Sequence, residues 1–112
     1  MLTPLKSSIT TKVMTQQLDP ITPGEILLHE FMEPLGISQN QLARDLSVSA
    51  PRINEIVNGK RAITSDTALR LARYFGTSPE FWMNLQQRYD LKVAQRKLAS
   101  DIEISVKPFA SA

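Results

Sequence analysis

The sequence predicts an all-α fold, a bundle of five helices whose last helix is extended and is followed by a short tail strand. Three observations support this prediction. Apolar residues recur with the three- and four-residue spacing of a helix face in successive segments. Most of these segments begin just after a serine or threonine, as helix N-termini commonly do. The links between them are short, which favours helices packed in a single domain.

Composition restricts the function before any motif is considered. The chain has 112 residues, of which 42% are hydrophobic and 21% charged, as in an ordinary soluble domain. It has no cysteine and one histidine, which excludes disulfides, thiolate metal sites and a histidine-rich zinc site. No apolar run approaches the roughly 20 residues of a membrane span, and residues 1–14 lack the apolar stretch expected of a secretory signal. We therefore expect a cytoplasmic protein with no membrane partner.

Charge is distributed unevenly along the chain. The net charge is +2, and residues 38–75 carry six basic side chains against three acidic ones. Residues 1–37 are acidic by comparison. The middle third is therefore the candidate for contact with a polyanion, although so small an excess is also typical of a solvated mixed-charge surface.

Local signals in the sequence predict the structure of the N-terminal residues and of the first helix. Residues 1–22 contain two prolines and no sustained helical period, so we expect a flexible arm. Pro23 follows Thr22, which can act as the N-cap of a first helix. This helix ends near Pro34 and Gly36. Its predicted apolar face consists of Leu28, Phe31, Met32 and Leu35.

The second and third helices are short and closely linked. Ser38 caps a second helix that runs to Leu46, and Ser49 caps a third that begins at Ala50 and ends at Asn58 and Gly59. Ser47 occupies the turn between them.

The last two helices complete a predicted domain over residues 23–98. The fourth starts near Ser65 and ends before Gly76, and the fifth follows Ser78 and continues to about Leu98. Residues 99–112 form a predicted tail. Within it, apolar and polar residues alternate, which is typical of a short strand that pairs with another segment or stays disordered. The apolar positions are Ile102, Ile104 and Val106.

The second and third helices together form a helix-turn-helix unit over residues 39–61. Ala43 provides the small residue needed where the helices cross, and Ile53 and Ile56 provide apolar contacts three residues apart. The other face of the third helix is polar and is followed by Lys60 and Arg61. A short helix with a polar outer face and adjacent cations suits the major groove of DNA.

Residues 39–59 resemble the helix-turn-helix of the lambda and Cro repressor superfamily, also called XRE, with Ser47 where glycine is usual. Beyond this motif, three segments resemble HigA-type antitoxins of bacterial toxin–antitoxin operons, and the resemblance covers about residues 19–108. The segments are PGEIL at 23–27, NEIVNGKR at 54–61 and SPEFWMNLQ at 78–86.

The resemblance implies a homodimer that binds a palindromic operator, represses its own operon and neutralises a HigB-like ribonuclease toxin. It implies base contacts by residues at the start of the third helix, namely Ala50, Pro51, Arg52, Asn54 and Glu55. Phosphate contacts would come from Gln39, Ser49, Asn58, Lys60 and Arg61. Arg52 can donate two hydrogen bonds to guanine, whereas Glu55 can accept from cytosine or hold Arg52 in place.

A dimer needs a surface away from the DNA, and the fifth helix carries surplus aromatic area. The candidate dimer residues are Phe81, Trp82, Leu85 and Tyr89. Residues 14–22, the acidic first helix and the tail strand are candidates for the toxin contact. The acidic positions of that helix are Glu25, Glu30 and Glu33.

Other functions remain as alternatives. The chain could be a solitary regulator without a toxin, or a helical interaction module that lost DNA binding. Glu25, His29 and Glu33 are spaced four residues apart and could hold a metal, but a solvated helix face explains them better. The sequence offers no nucleophile at a useful spacing and no phosphate-binding glycine loop, so we expect no catalytic residues and no cofactor.

Overall fold

The computed structural model describes residues 19–110, which form five helices in the predicted order. Helix α1 has three consecutive stretches, an α-helical Pro23–Ile26, a π-helical Leu27–Met32 and an α-helical Glu33–Leu35. The others are α2 (Gln39–Leu46), α3 (Ala50–Val57), α4 (Ser65–Phe75) and α5 (Pro79–Ser105). The all-helical bundle is thereby confirmed. Of the predicted arm, residues 1–18 lie outside the described residues, and 19–22 are non-helical.

Each helix begins where a serine or threonine side chain accepts a hydrogen bond from the backbone three residues later. Thr22 caps α1 and accepts from the Glu25 N–H at 3.1 Å. The remaining caps are Ser38, Ser49, Thr64 and Ser78. Such a cap stabilises a helix by about 1 kcal/mol and fixes its first residue. This explains why the helix starts were predictable.

The middle of α1 departs from the predicted face. Pro34 has no N–H, and its ring would collide with the carbonyl four residues earlier in a regular helix. Here the Glu33 N–H donates to the carbonyl of Leu28, five residues back. The wider turn of a π-helix brings Leu27 and Met32 to the same buried side, while Leu35 is 62% exposed. The prediction that Leu35 faces the core is wrong, and Leu27 takes part instead.

The core lies where α1, α4 and α5 meet the helix-turn-helix unit. Trp82 is completely buried, and its indole N–H donates to the Thr77 hydroxyl at 2.8 Å. The ring of Phe31 lies 4.8 Å from that of Trp82 and 5.0 Å from that of Phe75. Burial of each large side chain contributes about 1.5–3 kcal/mol. The other large residues of this core are Leu27, Met32, Leu42, Ile53, Ile56, Ile63 and Leu71.

A close backbone contact fixes α3 against α1. A Cβ atom added to Gly24 would lie only 1.8 Å from the carbonyl oxygen of Ile56. Only glycine permits this approach. Since Ile56 is in the last turn of α3, the contact helps to set how α3 is presented to solvent.

The predicted tail strand is wrong. Ile102 and Ile104 lie within α5, and the Val106 N–H donates to the carbonyl of Ile102 at 2.8 Å just after the last turn. A helix pairs its backbone groups within itself, whereas a lone strand leaves its own unpaired. The domain boundary predicted at residue 98 therefore falls inside a helix of 27 residues, about 40 Å long.

None of the helices within residues 19–110 combines the length and the apolar character needed to cross a membrane.

Candidate nucleic-acid interface

Helices α2 and α3 adopt the predicted helix-turn-helix packing. Ser47 has φ 58° and ψ 46°, the left-handed conformation expected at this turn position. The Val48 N–H donates to the carbonyl of Ala43 at 3.0 Å, which closes the turn. Ala43, Ile53 and Ile56 are all buried. The opposite side of α3 therefore faces solvent.

A row of amide side chains connects the exposed faces of α2 and α3. Asn54 Nδ2 donates to Gln39 Oε1 at 3.1 Å, and Asn58 Nδ2 donates to Asn54 Oδ1 at 3.2 Å. The structure thus brings a predicted base-contacting residue, Asn54, between two predicted phosphate-contacting residues. Ala50 and Pro51 are exposed beside them, and the Ser49 hydroxyl accepts from the Arg52 N–H at 3.3 Å.

Arg52 reaches from α3 to the start of α4. Its Nη1 donates to Asp66 Oδ1 at 3.2 Å, and the same oxygen accepts from Arg70 Nε at 2.6 Å. The hydrogen bond from Arg70, reinforced by its charge and by Arg52, holds the pKa of Asp66 below its ordinary value. Sequence analysis missed Asp66 and Arg70. Their four-residue spacing in the first turns of a helix was the available signal.

Glu55 is paired with a cation that follows α3. Its Oε1 accepts from Arg61 Nε at 2.7 Å, so the suggestion that Glu55 holds Arg52 is wrong. The backbone N–H groups of Lys60 and Arg61 donate to the carbonyl of Glu55 at 2.8 and 3.2 Å. These bonds hold both basic residues beside the exposed face of α3.

The predicted dimer residues lie in different environments. Trp82 is 0% exposed, so it has no surface to offer a second chain, and this part of the prediction is wrong. The Phe81 ring packs edge-on at 5.0 Å from that of Trp82 and is 37% exposed. Leu85 and Tyr89 are half-buried.

A different apolar row lies on the outer side of α5. Leu91, Leu98 and Ile102 are 54%, 47% and 49% exposed. Their spacing of seven and four residues places them on one helix face, away from Trp82 and Gln86, which are the buried residues of this helix. That spacing was the signal from which this surface could have been found.

The exposed side of α1 carries the single histidine. His29 Nδ1 lies 2.9 Å from Glu33 Oε1. This hydrogen bond and the charge of Glu33 raise the pKa of His29 above 6.5. Within residues 19–110, no group of three or more histidine, cysteine or acidic side chains is placed to hold a metal.

Comparison with known proteins gives consistent matches. The helix-turn-helix family profile matches residues 28–82. A solved structure described as "Pseudomonas aeruginosa antitoxin HigA with higBA promoter" is 50% identical, with a TM-score of 0.79, over 80% of this chain and 98% of that one. Antitoxin HigA-1 of Vibrio cholerae is 35% identical over 80% of this chain and 83% of its own length. Virulence-associated protein I of Dichelobacter nodosus is 52% identical over 71% of this chain and 74% of its own length.

The fold, the polar face of α3 and these matches define a helix-turn-helix protein of the lambda-repressor type. Within that class, the chain belongs to the family of HigA-type antitoxins. This is a family of DNA-binding antitoxins and regulators, not of enzymes.

Proposed function

We propose that this chain binds the operator of its own operon as a homodimer, represses that operon and neutralises a HigB-like toxin. The observation that carries the DNA-binding part is the outer face of α3. Its polar side chains lie on the side of the helix opposite the buried Ile53 and Ile56, and Lys60 and Arg61 follow the helix. The similar Pseudomonas aeruginosa structure is described with a promoter, which supports the same use of α3 here.

In this proposal α3 enters the major groove. Arg52 donates to guanine, while Ala50 and Pro51 contact a thymine methyl group, and Asn54 and Glu55 face neighbouring base edges. Phosphates are contacted by residues that flank the helix. These are Gln39, Ser49, Asn58, Lys60 and Arg61.

Two copies of α3 must reach half-sites about 34 Å apart. The outer face of α5 supplies a surface on which two chains can meet without covering α3. We assign the main dimer contact to Leu91, Leu98 and Ile102, which share that face. The residues predicted from sequence, Phe81, Leu85 and Tyr89, project from other sides of α5 and are not part of this assignment.

The toxin contact is assigned to the acidic outer face of α1. Glu25, Glu30 and Glu33 are all exposed there and would attract a basic ribonuclease. Of the other predicted toxin contacts, residues 14–18 lie outside the described part of the chain, and the tail is helical to Ser105. Co-purification with the product of the neighbouring gene tests this assignment. A Glu30→Lys, Glu33→Lys variant should lose the partner and keep its DNA binding.

The DNA-binding proposal is tested by anisotropy titration against the DNA upstream of the gene at several salt concentrations. Arg52→Ala should reduce discrimination between operator and altered sequences by about 1–3 kcal/mol. Lys60→Ala should weaken binding to all sequences and reduce the salt slope by about one. Absence of wild-type binding at low salt would contradict the proposal.

A further inference from the structure

We propose that Asp66, on α4, is a positioning residue that sets the sequence specificity of Arg52, on α3. The inference rests on the proposed DNA-binding function and extends it to a residue outside the recognition helix. Asp66 is the second residue of α4 and is exposed. It contacts the arginine that is best suited to read a base.

Asp66 is connected to the turn between α2 and α3 through Arg70. Arg70, which donates to Asp66 through Nε, also donates through Nη1 to the carbonyl of Leu46 at 2.8 Å and to that of Ser47 at 3.4 Å. These carbonyls belong to the end of α2 and to the left-handed turn residue. Asp66 is therefore held by a side chain that is itself anchored to the helix-turn-helix backbone.

The contact with Asp66 orients the guanidinium of Arg52. A guanidinium has five N–H donors in a rigid plane. In Arg52 the contact with Asp66 engages Nη1 at 3.2 Å and leaves Nε and Nη2 available. Two parallel donors are what guanine O6 and N7 require. A carboxylate that holds one nitrogen fixes the direction of the others.

Positioning of Arg52 and simple competition for it have different consequences for DNA binding. Asp66 could instead withhold Arg52 from DNA. In that case, removal of its charge would free Arg52 to read guanine, so binding to the operator would strengthen at least as much as binding to altered sequences, and discrimination would not fall. If Asp66 positions Arg52, the same change lowers discrimination between the operator and sequences altered at the guanine step.

The experiment compares Asp66→Asn with Glu80→Gln in the full chain. Glu80 is the exposed second residue of α5, so its substitution removes one negative charge from the same helix position without touching Arg52. Affinities are measured for the operator and for duplexes with one base pair changed in each half-site. We expect Asp66→Asn to reduce the ratio of these affinities about tenfold, within the range of a lost bidentate base contact, and Glu80→Gln to leave it unchanged.

A double variant shows whether Asp66 acts through Arg52. In an Arg52→Ala background, Asp66→Asn should cause no further loss of discrimination, because the side chain it positions is absent. If Asp66→Asn lowers the melting temperature substantially, Asp66→Glu provides a second variant. It keeps the charge but displaces the carboxylate, and it should also lose discrimination.

The outcomes separate the two proposals. If wild type discriminates and Asp66→Asn behaves like Glu80→Gln, the positioning role is overturned and DNA binding stands. Stronger operator binding with unchanged or greater discrimination overturns it as well, in favour of competition. If wild type binds no DNA at low salt, the proposed function fails and the positioning role fails with it.

Discussion

Ser47 alone adopts the unfavourable left-handed backbone conformation that the tight turn between α2 and α3 requires. It is the one non-glycine residue with positive φ among residues 19–110. Its carbonyl and that of Leu46 accept hydrogen bonds from Arg70, so the surrounding contacts hold this conformation in place. The resemblance to lambda-type repressors had already marked this position, because glycine is usual there.

Substitution of Ser47 should follow backbone preference. Ser47→Gly removes the strain but adds entropy to the unfolded chain, so the free energy of unfolding should rise by no more than about 0.5 kcal/mol. Ser47→Val places a β-branched residue in the left-handed region and should lower it by about 1–2 kcal/mol. Urea unfolding of both variants measures the difference. Equal stability would mean that the turn is not left-handed.

His29 should titrate above its ordinary pKa of 6.5, because Glu33 accepts its hydrogen bond and stabilises the charged ring. The folded state then binds the proton more tightly than the unfolded state. The pair therefore stabilises the fold fully below pH 6.5, and this contribution is lost as pH rises through the raised pKa.

The titration can be followed by NMR without ambiguity, since the chain has a single histidine. Glu33→Gln should bring the pKa of His29 back toward 6.5. Glu25→Gln is the matched control, because Glu25 lies on the other side of His29 in the same helix and acts only through its charge. Similar shifts in both variants would contradict the hydrogen bond.

At the scale of the helices, local signals in the sequence predicted where each helix begins far better than which side of the helix is buried. The caps at Ser38, Ser49 and Ser78 lie where the sequence placed them, since a cap depends on neighbours within three residues. The face of α1 was only partly predicted, because the π-helical stretch shifts every side chain after Leu27. Such a shift depends on packing and not on periodicity.

The structure of the tail and of the recognition site also depends on packing, which local sequence patterns do not report. Alternation at Ile102, Ile104 and Val106 predicted a strand, yet the helix that begins at Pro79 simply continues. In the candidate site, sequence placed Arg52 on the exposed face of α3. It did not find Asp66, which is 14 residues away and meets Arg52 only after α4 has packed.

The contact between α1 and α3 gives a direct test of element packing. Gly24→Ala would force a methyl group into the carbonyl of Ile56, and we expect the free energy of unfolding to fall by about 3 kcal/mol. Gly76→Ala is the control. Gly76 has φ +74° and no atom within 4 Å of an added Cβ, so this change should cost only the backbone strain, about 1 kcal/mol. Thermal or urea unfolding that ranks the two variants equally would contradict the close approach.

At the scale of the whole molecule, most of α5 lies outside the core. Only Trp82 and Gln86 of its 27 residues are buried. A helix face with Leu91, Leu98 and Ile102 half exposed along it can pair with the same face of a second chain about a two-fold axis. The two recognition helices would then be coupled through α5, and operator affinity would depend on association of the chains.

Leu98→Glu should therefore convert the proposed dimer to a monomer and weaken operator binding by at least about tenfold. The melting temperature of the isolated chain should change little, because Leu98 is half exposed in one protomer. Ile104→Glu is the matched control, since Ile104 is 81% exposed on a different side of the same helix. Sedimentation equilibrium gives the association state, and anisotropy titration gives the affinity. The outer face of α5 is excluded as the dimer contact if Leu98→Glu remains dimeric, and a dimer lost equally in both variants would indicate a general charge effect on the helix.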